Sequence, residues 1–123
     1  MNDYMHSDNS SIADLLRALG NEHRLTILKW LSNPRAHFPE QRDGDLVDDG
    51  VCVGFITDKI GLSQPTVTSH LQYLAKVGIV NSKRIKNWAF YKLVPERLQD
   101  AEAALSQLTA SALYIQRSSE KNR

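Results

Sequence analysis

Gln64, Thr66, Thr68, Ser69, Gln72 and Lys76 fall at helical intervals, and no acid lies among them. Their chemistry is hydrogen bonding, not proton transfer or nucleophilic attack. Short hydroxyls and amides suit base edges, and Gln64 has the donor–acceptor pair that meets adenine bidentately. Pro65 stands beside them and offers only apolar or shape contact. Lys83, Arg84 and Lys86 follow, and with Lys76 they supply the charges that phosphate oxygens or an adjacent minor groove attract. From Leu62 to Val94 there is no Asp or Glu, while Lys76, Lys83, Arg84, Lys86 and Lys92 all fall there. The net charge is only +1. Distribution, not total charge, therefore marks a phosphate-binding face.

Other reactive groups are sparse. Cys52 is the single cysteine. It reads either as a thiol sensor open to oxidants and electrophiles or as a small buried hydrophobe between Val51 and Val53. One thiolate does not make a soft-metal ligand set. The histidines, His6, His23, His37 and His70, are scattered, so neither a metal nor a cofactor is expected. His70 borders an apolar stripe and reads as structural or phosphate-facing. No Ser/His/Asp set or phosphate loop is present, which argues against an enzyme.

The elements that position the polar set are legible around it. Phe55, Ile56 and Ile60 make one apolar face of a short helix that Gly61 ends. Ser63 stands as N-cap of the next helix, and Pro65 sits in its first turn, where its missing N–H costs nothing. Val67, Leu71, Leu74 and Gly78 form its narrow buried stripe. Two helices joined this way predict a helix-turn-helix, with a helical hairpin in a bundle as the alternative. Residues 79–85 and 88–94 are β-prone runs around Lys86-Asn87, which predicts a hairpin with a two-residue turn. A basic hairpin directly after a recognition helix is the wing of a winged helix-turn-helix.

Around this core the chain reads as one domain, residues 1–123, mainly α with a small β-hairpin: five helices plus a two-stranded wing. Ser11 caps a helix with Ile12, Leu15, Leu16 and Leu19 on its apolar face. Asn21 caps a second, in which Leu25, Ile27, Leu28 and Leu31 take buried positions before Asn33-Pro34. Residues 34–49 form an acidic insertion loop, in which Glu40, Asp43, Asp45, Asp48 and Asp49 stand against Arg42 alone between positions 40 and 49, with Phe38, Leu46 and Val47 as anchors. Pro95 opens a last helix to about Gln116. Its seam of Leu98, Ala101, Leu105, Leu108, Ala112 and Ile115 has a period of about 3.5. That seam is expected to pack on the first helix and on a second copy of the chain. Residues 1–10 and 117–123 read as flexible tails. Apolar content of 41%, charge of 24%, no membrane-length apolar run and no visible leader predict a cytoplasmic protein without a membrane segment.

LRALGNEHRLTILKWL (Leu16 to Leu31), VCVGFITDKIGLSQPTVTSHLQYLAKVGIV (Val51 to Val80) and WAFYKL (Trp88 to Leu93) resemble the opening helix pair, the DNA-reading core and the returning wing strand of the ArsR/SmtB repressors. The resemblance covers residues 12–116 apart from the acidic insertion. It implies a homodimer built on the first and last helices. It also implies a repressor that leaves its DNA operator when an effector binds or a thiol is modified; pairing through those helices would set two recognition helices about one DNA turn apart, on an inverted repeat. Arsenic-type members carry Cys-x-Cys beginning where Cys52 stands, but Gly54 occupies the second position. Zinc- and nickel-type members use Asp and His on the last helix, and no His lies between Glu96 and Arg123. A small-molecule effector, or a thiol or metalloid response through Cys52, stays open. So does a winged-helix module that binds protein instead of DNA, although such a module calls for apolar or acidic residues on the exposed recognition face.

Overall fold

Leu15 of the first helix, Ile27 of the second, Ile56 of the fourth and Val67, Leu71 and Leu74 of the fifth are shut off from solvent together. That shared core fixes how the helices stack. The computed structural model describes residues 9–121. Its elements are α1 (Asn9–Leu19), α2 (Glu22–Ser32), α3 (Pro34–His37), β1 (Val51–Cys52), α4 (Val53–Ile60), α5 (Gln64–Lys76), β2 (Val80–Ile85), β3 (Trp88–Leu93) and α6 (Pro95–Lys121). The expected helices and wing are all there, joined by one short helix, α3, and one short strand, β1. A two-residue strand is too brief to show a period in sequence.

Local chemistry sets the boundaries. Asn21 Oδ1 accepts from Arg24 N at 3.1 Å, capping α2. Gly61 ends α4 at φ +77°, its N–H donating to Thr57 O. Ser63 caps α5 through Thr66 N. Ser11 is not a cap, because α1 begins two residues earlier, at Asn9. Leu25 is exposed. It stands about a third of a turn off the stripe formed by Ile27, Leu28 and Leu31. The tail expected from residue 117 is helical to Lys121, since nothing in Arg-Ser-Ser-Glu-Lys breaks a helix. The other expected tail, residues 1–10, lies mostly outside the described residues.

The sheet runs β1-β3-β2. Val51 pairs with Tyr91, and Ile85 closes the hairpin against Trp88. Lys86 takes φ +55° in the two-residue turn, a conformation that costs a non-glycine residue about 1 kcal/mol.

The acidic segment is better ordered than its composition suggests. After the turn of α3 it crosses to the sheet as a strap. Phe38 and Leu46 are buried, and Phe38 meets the Trp30 ring edge-on at 6.0 Å. Val47, expected as a third anchor, is exposed. Asp45 Oδ2 accepts from Val47 N and Asp48 N, and Asp49 Oδ2 accepts from Asp45 N at 2.8 Å. These bonds pull the pKa of Asp45 below its ordinary value; for Asp49 the bond from Lys83 comes first and that from Asp45 N second. Gly50 has φ +104°, and a Cβ there would stand 2.5 Å from Tyr91 O, so only glycine lets the strap reach the sheet this closely.

Gln41 holds the strap's two ends together. Its Nε2 donates to Gly44 O at 3.2 Å and Gly50 O at 2.9 Å, while its Oε1 accepts from Cys52 N at 2.6 Å. Gln41→Ala leaves these backbone groups unpaired. The expected loss is about 2–3 kcal/mol of unfolding free energy, read from the urea midpoint. A loss below about 0.5 kcal/mol would mean that water replaces the side chain freely.

Candidate nucleic-acid interface

Burial of Val67, Leu71 and Leu74 turns the opposite side of α5 outward. At about 100° per residue, Gln64, Pro65, Thr68, Ser69, Gln72 and Lys76 share that outer face. Thr68 is half-buried and the others are exposed. Thr66, expected among the base readers, stands to one side. Its Oγ1 lies 2.9 Å from Ser63 Oγ and its N–H donates to the same hydroxyl, so it helps start the helix. Gln72 and Lys76, near the C-terminal end, border an open cleft of about 480 Å³ shared with Asp14 and Tyr73.

Two arginines brace α5: Arg24, which reads in sequence only as solvated or paired, and Arg97, which sequence reasoning missed. Arg24 Nε donates to Ala18 O at 2.6 Å, Nη1 lies 3.2 Å from His70 Nδ1, and its guanidinium sits 4.5 Å from the Tyr73 ring centroid. It thereby ties the end of α1 to α5. Arg97 Nε donates to Val77 O at 2.8 Å, while its Nη atoms reach Asp100 and Ser11. It joins α6 and α1 to the end of α5. Both partners' positions are far apart in sequence, and no local pattern announces them. His70 is accordingly structural. Burial first, then the Arg24 and His23 charges, lowers its pKa from 6.5.

The wing is basic in sequence but partly neutralised in space. Lys83 Nζ pairs with Asp49, Lys86 Nζ lies 2.9 Å from Asp43 Oδ1, and Lys92 Nζ donates to Asp48 O. Arg84 Nη1 donates to Asn87 O within the hairpin. The acidic strap thus lies against the wing, a pairing that linear charge counts do not show.

Cys52 is half-buried, not sealed in the core. It lines an open cavity of about 270 Å³ with Gln41, Phe55, Trp88 and Phe90. Among the described residues no group of three or more His, Cys, Asp or Glu side chains is arranged to hold a metal ion.

The seam on α6 divides in two. Leu98 and Ala101 pack within the chain, whereas Leu105, Leu108 and Ile115 are 50%, 70% and 63% exposed. Ala112 is exposed as well; Leu113 and Tyr114 are also exposed but lie on other sides of α6, away from this stripe. On α1, Ile12 and Leu19 are half-buried and Leu16 is exposed. Leu15 and Ala101 are corrected as partner-facing residues: both are spent on the chain's own core.

No family model matches the chain. It is 39% identical to the HTH-type transcriptional regulator YbzH of Bacillus subtilis over 79 residues, 64% of this chain and 79% of the relative. To the arsenic resistance transcriptional regulator ArsR1 of Pseudomonas putida it is 38% identical over 64 residues, 52% of this chain and 46% of that one. Among solved structures, the homodimeric winged helix-turn-helix DNA-binding domain of Mb0332 from Mycobacterium bovis, a possible ArsR-family regulator, superposes with TM-score 0.57 at 25% identity. The match covers 90% of this chain and 88% of that one. The chain belongs to the ArsR family. It is a winged helix-turn-helix transcriptional regulator that binds DNA. Among the described residues of this ArsR-family protein, no helix is long and apolar enough to cross a membrane.

Lowering of the His70 pKa has a measurable sign. Below about pH 6.5 the unfolded chain takes up a proton that folded His70 refuses, so stability falls as pH drops from 6.5 towards the lowered value. His70→Gln keeps an acceptor for Arg24 and removes the titration. Its Tm is expected to fall less than wild type between about pH 7 and about pH 5. An equal fall would exclude His70 as a source of the acid sensitivity.

Proposed function

We propose that the protein is a homodimeric cytoplasmic repressor that reads an inverted-repeat operator. The observation that carries this reading is the outer face of α5, polar and free of acids, fixed on an apolar underside and followed directly by a basic hairpin. Gln64, Thr68 and Ser69 read base edges in the major groove, with Pro65 giving shape contact. Gln72 and Lys76 extend the contact along α5, and Lys83, Arg84 and Lys86 take phosphates or the adjacent minor groove. The uncovered stripe of Leu105, Leu108, Ala112 and Ile115 on the 27-residue α6 supports pairing with a second copy. Pairing there sets two recognition helices about one DNA turn, ~34 Å, apart. A winged-helix module for protein partners is disfavoured by the neutral-polar face of α5.

The releasing signal in this reading is a small organic ligand or modification of the Cys52 thiol, which borders an open apolar cavity. Release requires that the signal favour one dimer geometry over another. The single cysteine and the lack of His on α6 support a protein that zinc, cadmium and arsenite leave on its operator.

Substituting Lys83, Arg84 and Lys86 together by Ala should weaken binding to every DNA sequence and flatten log K against log salt by about one unit per lost phosphate contact. An unchanged slope would remove the wing from the interface. Gln64→Ala should cost about 1–3 kcal/mol on the operator and leave random DNA nearly untouched. Equal losses on both would show that Gln64 does not read bases.

Leu105→Asp with Leu108→Asp places two charges in the apolar stripe, each costing several kcal/mol if a partner buries it. Sedimentation should then find monomers, and the specific complex should be lost. A persistent dimer would move the pairing surface elsewhere.

A further inference from the structure

We infer that the strap from Glu40 to Gly50 acts as an intramolecular stand-in for DNA phosphate, holding Lys83 and Lys86 of the wing until DNA displaces it. The inference rests on the reading of the wing as the phosphate-binding element and adds its regulation. Asp43 and Asp49 meet the two wing lysines directly, and Asp48 O takes the neighbouring Lys92. The acidic partners are the fixed ones. Side chains of Asp49 and Asp43 are 23% and 22% exposed, against 56% and 71% for Lys83 and Lys86. Gln41, Phe38, Leu46 and the close approach at Gly50 hold the strap down. Long lysine stems can therefore swing to a phosphate while the strap stays in place.

Ion pairs this exposed are weak and lie within one Debye length of any phosphate bound at the wing. DNA, with its dense charge and counterion release, outcompetes them. The strap consequently lowers affinity without abolishing binding. It does so for all sequences alike, because it engages only the charges and not the base-reading face of α5. Its effect is to weaken binding to random DNA and to the operator by the same factor, which random DNA reports most simply because phosphate contacts supply nearly all its affinity.

The test measures binding of a random-sequence duplex by fluorescence anisotropy, at low and at raised salt. Asp43→Asn keeps size and removes charge, and its carboxylate is committed to Lys86. It should tighten binding about threefold, and Asp43→Asn with Asp49→Asn about tenfold, with the gain shrinking as salt rises. Glu102→Gln with Glu120→Gln, remote on α6, removes the same net charge and should give much less. In a Lys86→Ala background the gain from Asp43→Asn should vanish. The inference is overturned if Asp43→Asn gives no gain, if the α6 pair gives an equal gain, or if the gain survives in Lys86→Ala. Asp49 also accepts from Asp45 N, so Asp43→Asn alone decides should the double variant unfold. Failure of the wing reading itself looks different: Ala at Lys83, Arg84 and Lys86 together would then leave duplex binding unchanged.

Discussion

Burial of Val67, Leu71 and Leu74 beneath α5 is the constraint on which the remaining architecture depends. Each is fully buried, and burying such a side chain contributes about 1.5–3 kcal/mol. The 13-residue helix has only one apolar stripe, so docking it leaves a single face outward. That face carries Gln64, Thr68, Ser69, Gln72 and Lys76. Gly61 and Ser63 set the angle at which the helix leaves α4, and the wing follows within a few residues. The position of the proposed DNA-reading surface is thus a consequence of core packing, not of any interaction at the surface itself.

Arginine bracing connects this reading head to the helices expected to pair. Arg24 joins the end of α1 to His70 and Tyr73 on α5, and Arg97 joins α6 and Ser11 to the carbonyl that ends α5. Both side chains donate to backbone carbonyls at fixed geometry, so a shift of α1 or α6 cannot leave α5 untouched without breaking charge-assisted bonds. Gly78, directly after that carbonyl, takes φ +86°, a left-handed conformation that favours glycine and turns the chain from α5 towards the wing.

Periodicity and caps made most of the fold legible in sequence. Asn21, Gly61, Ser63 and the Lys86-Asn87 turn all stand where local rules put them, because each acts on its near neighbours. What escaped notice depends on partners distant along the chain. Gln41 looks like an ordinary loop glutamine until Gly50 and Cys52 fold back to it. The acidic strap and the basic wing read as separate charge runs, yet Asp43 of the strap meets Lys86 in the hairpin turn. Leu15 and Leu16 are neighbours of equal hydropathy, and only packing decides that Leu15 is buried while Leu16 is exposed. Thr66, exposed like its polar neighbours, also shares a hydrogen bond with the Ser63 hydroxyl, a capping role that its base-reading chemistry does not announce.

Hydroxyl-radical footprinting of the full-length protein on DNA upstream of its own coding sequence tests the central claim most directly. Two α5 helices related by a dimer axis should protect two half-sites of an inverted repeat, with centres about one helical turn apart, ~10 bp. Protection of one unpaired half-site, or uniform protection without sequence preference, would contradict the account.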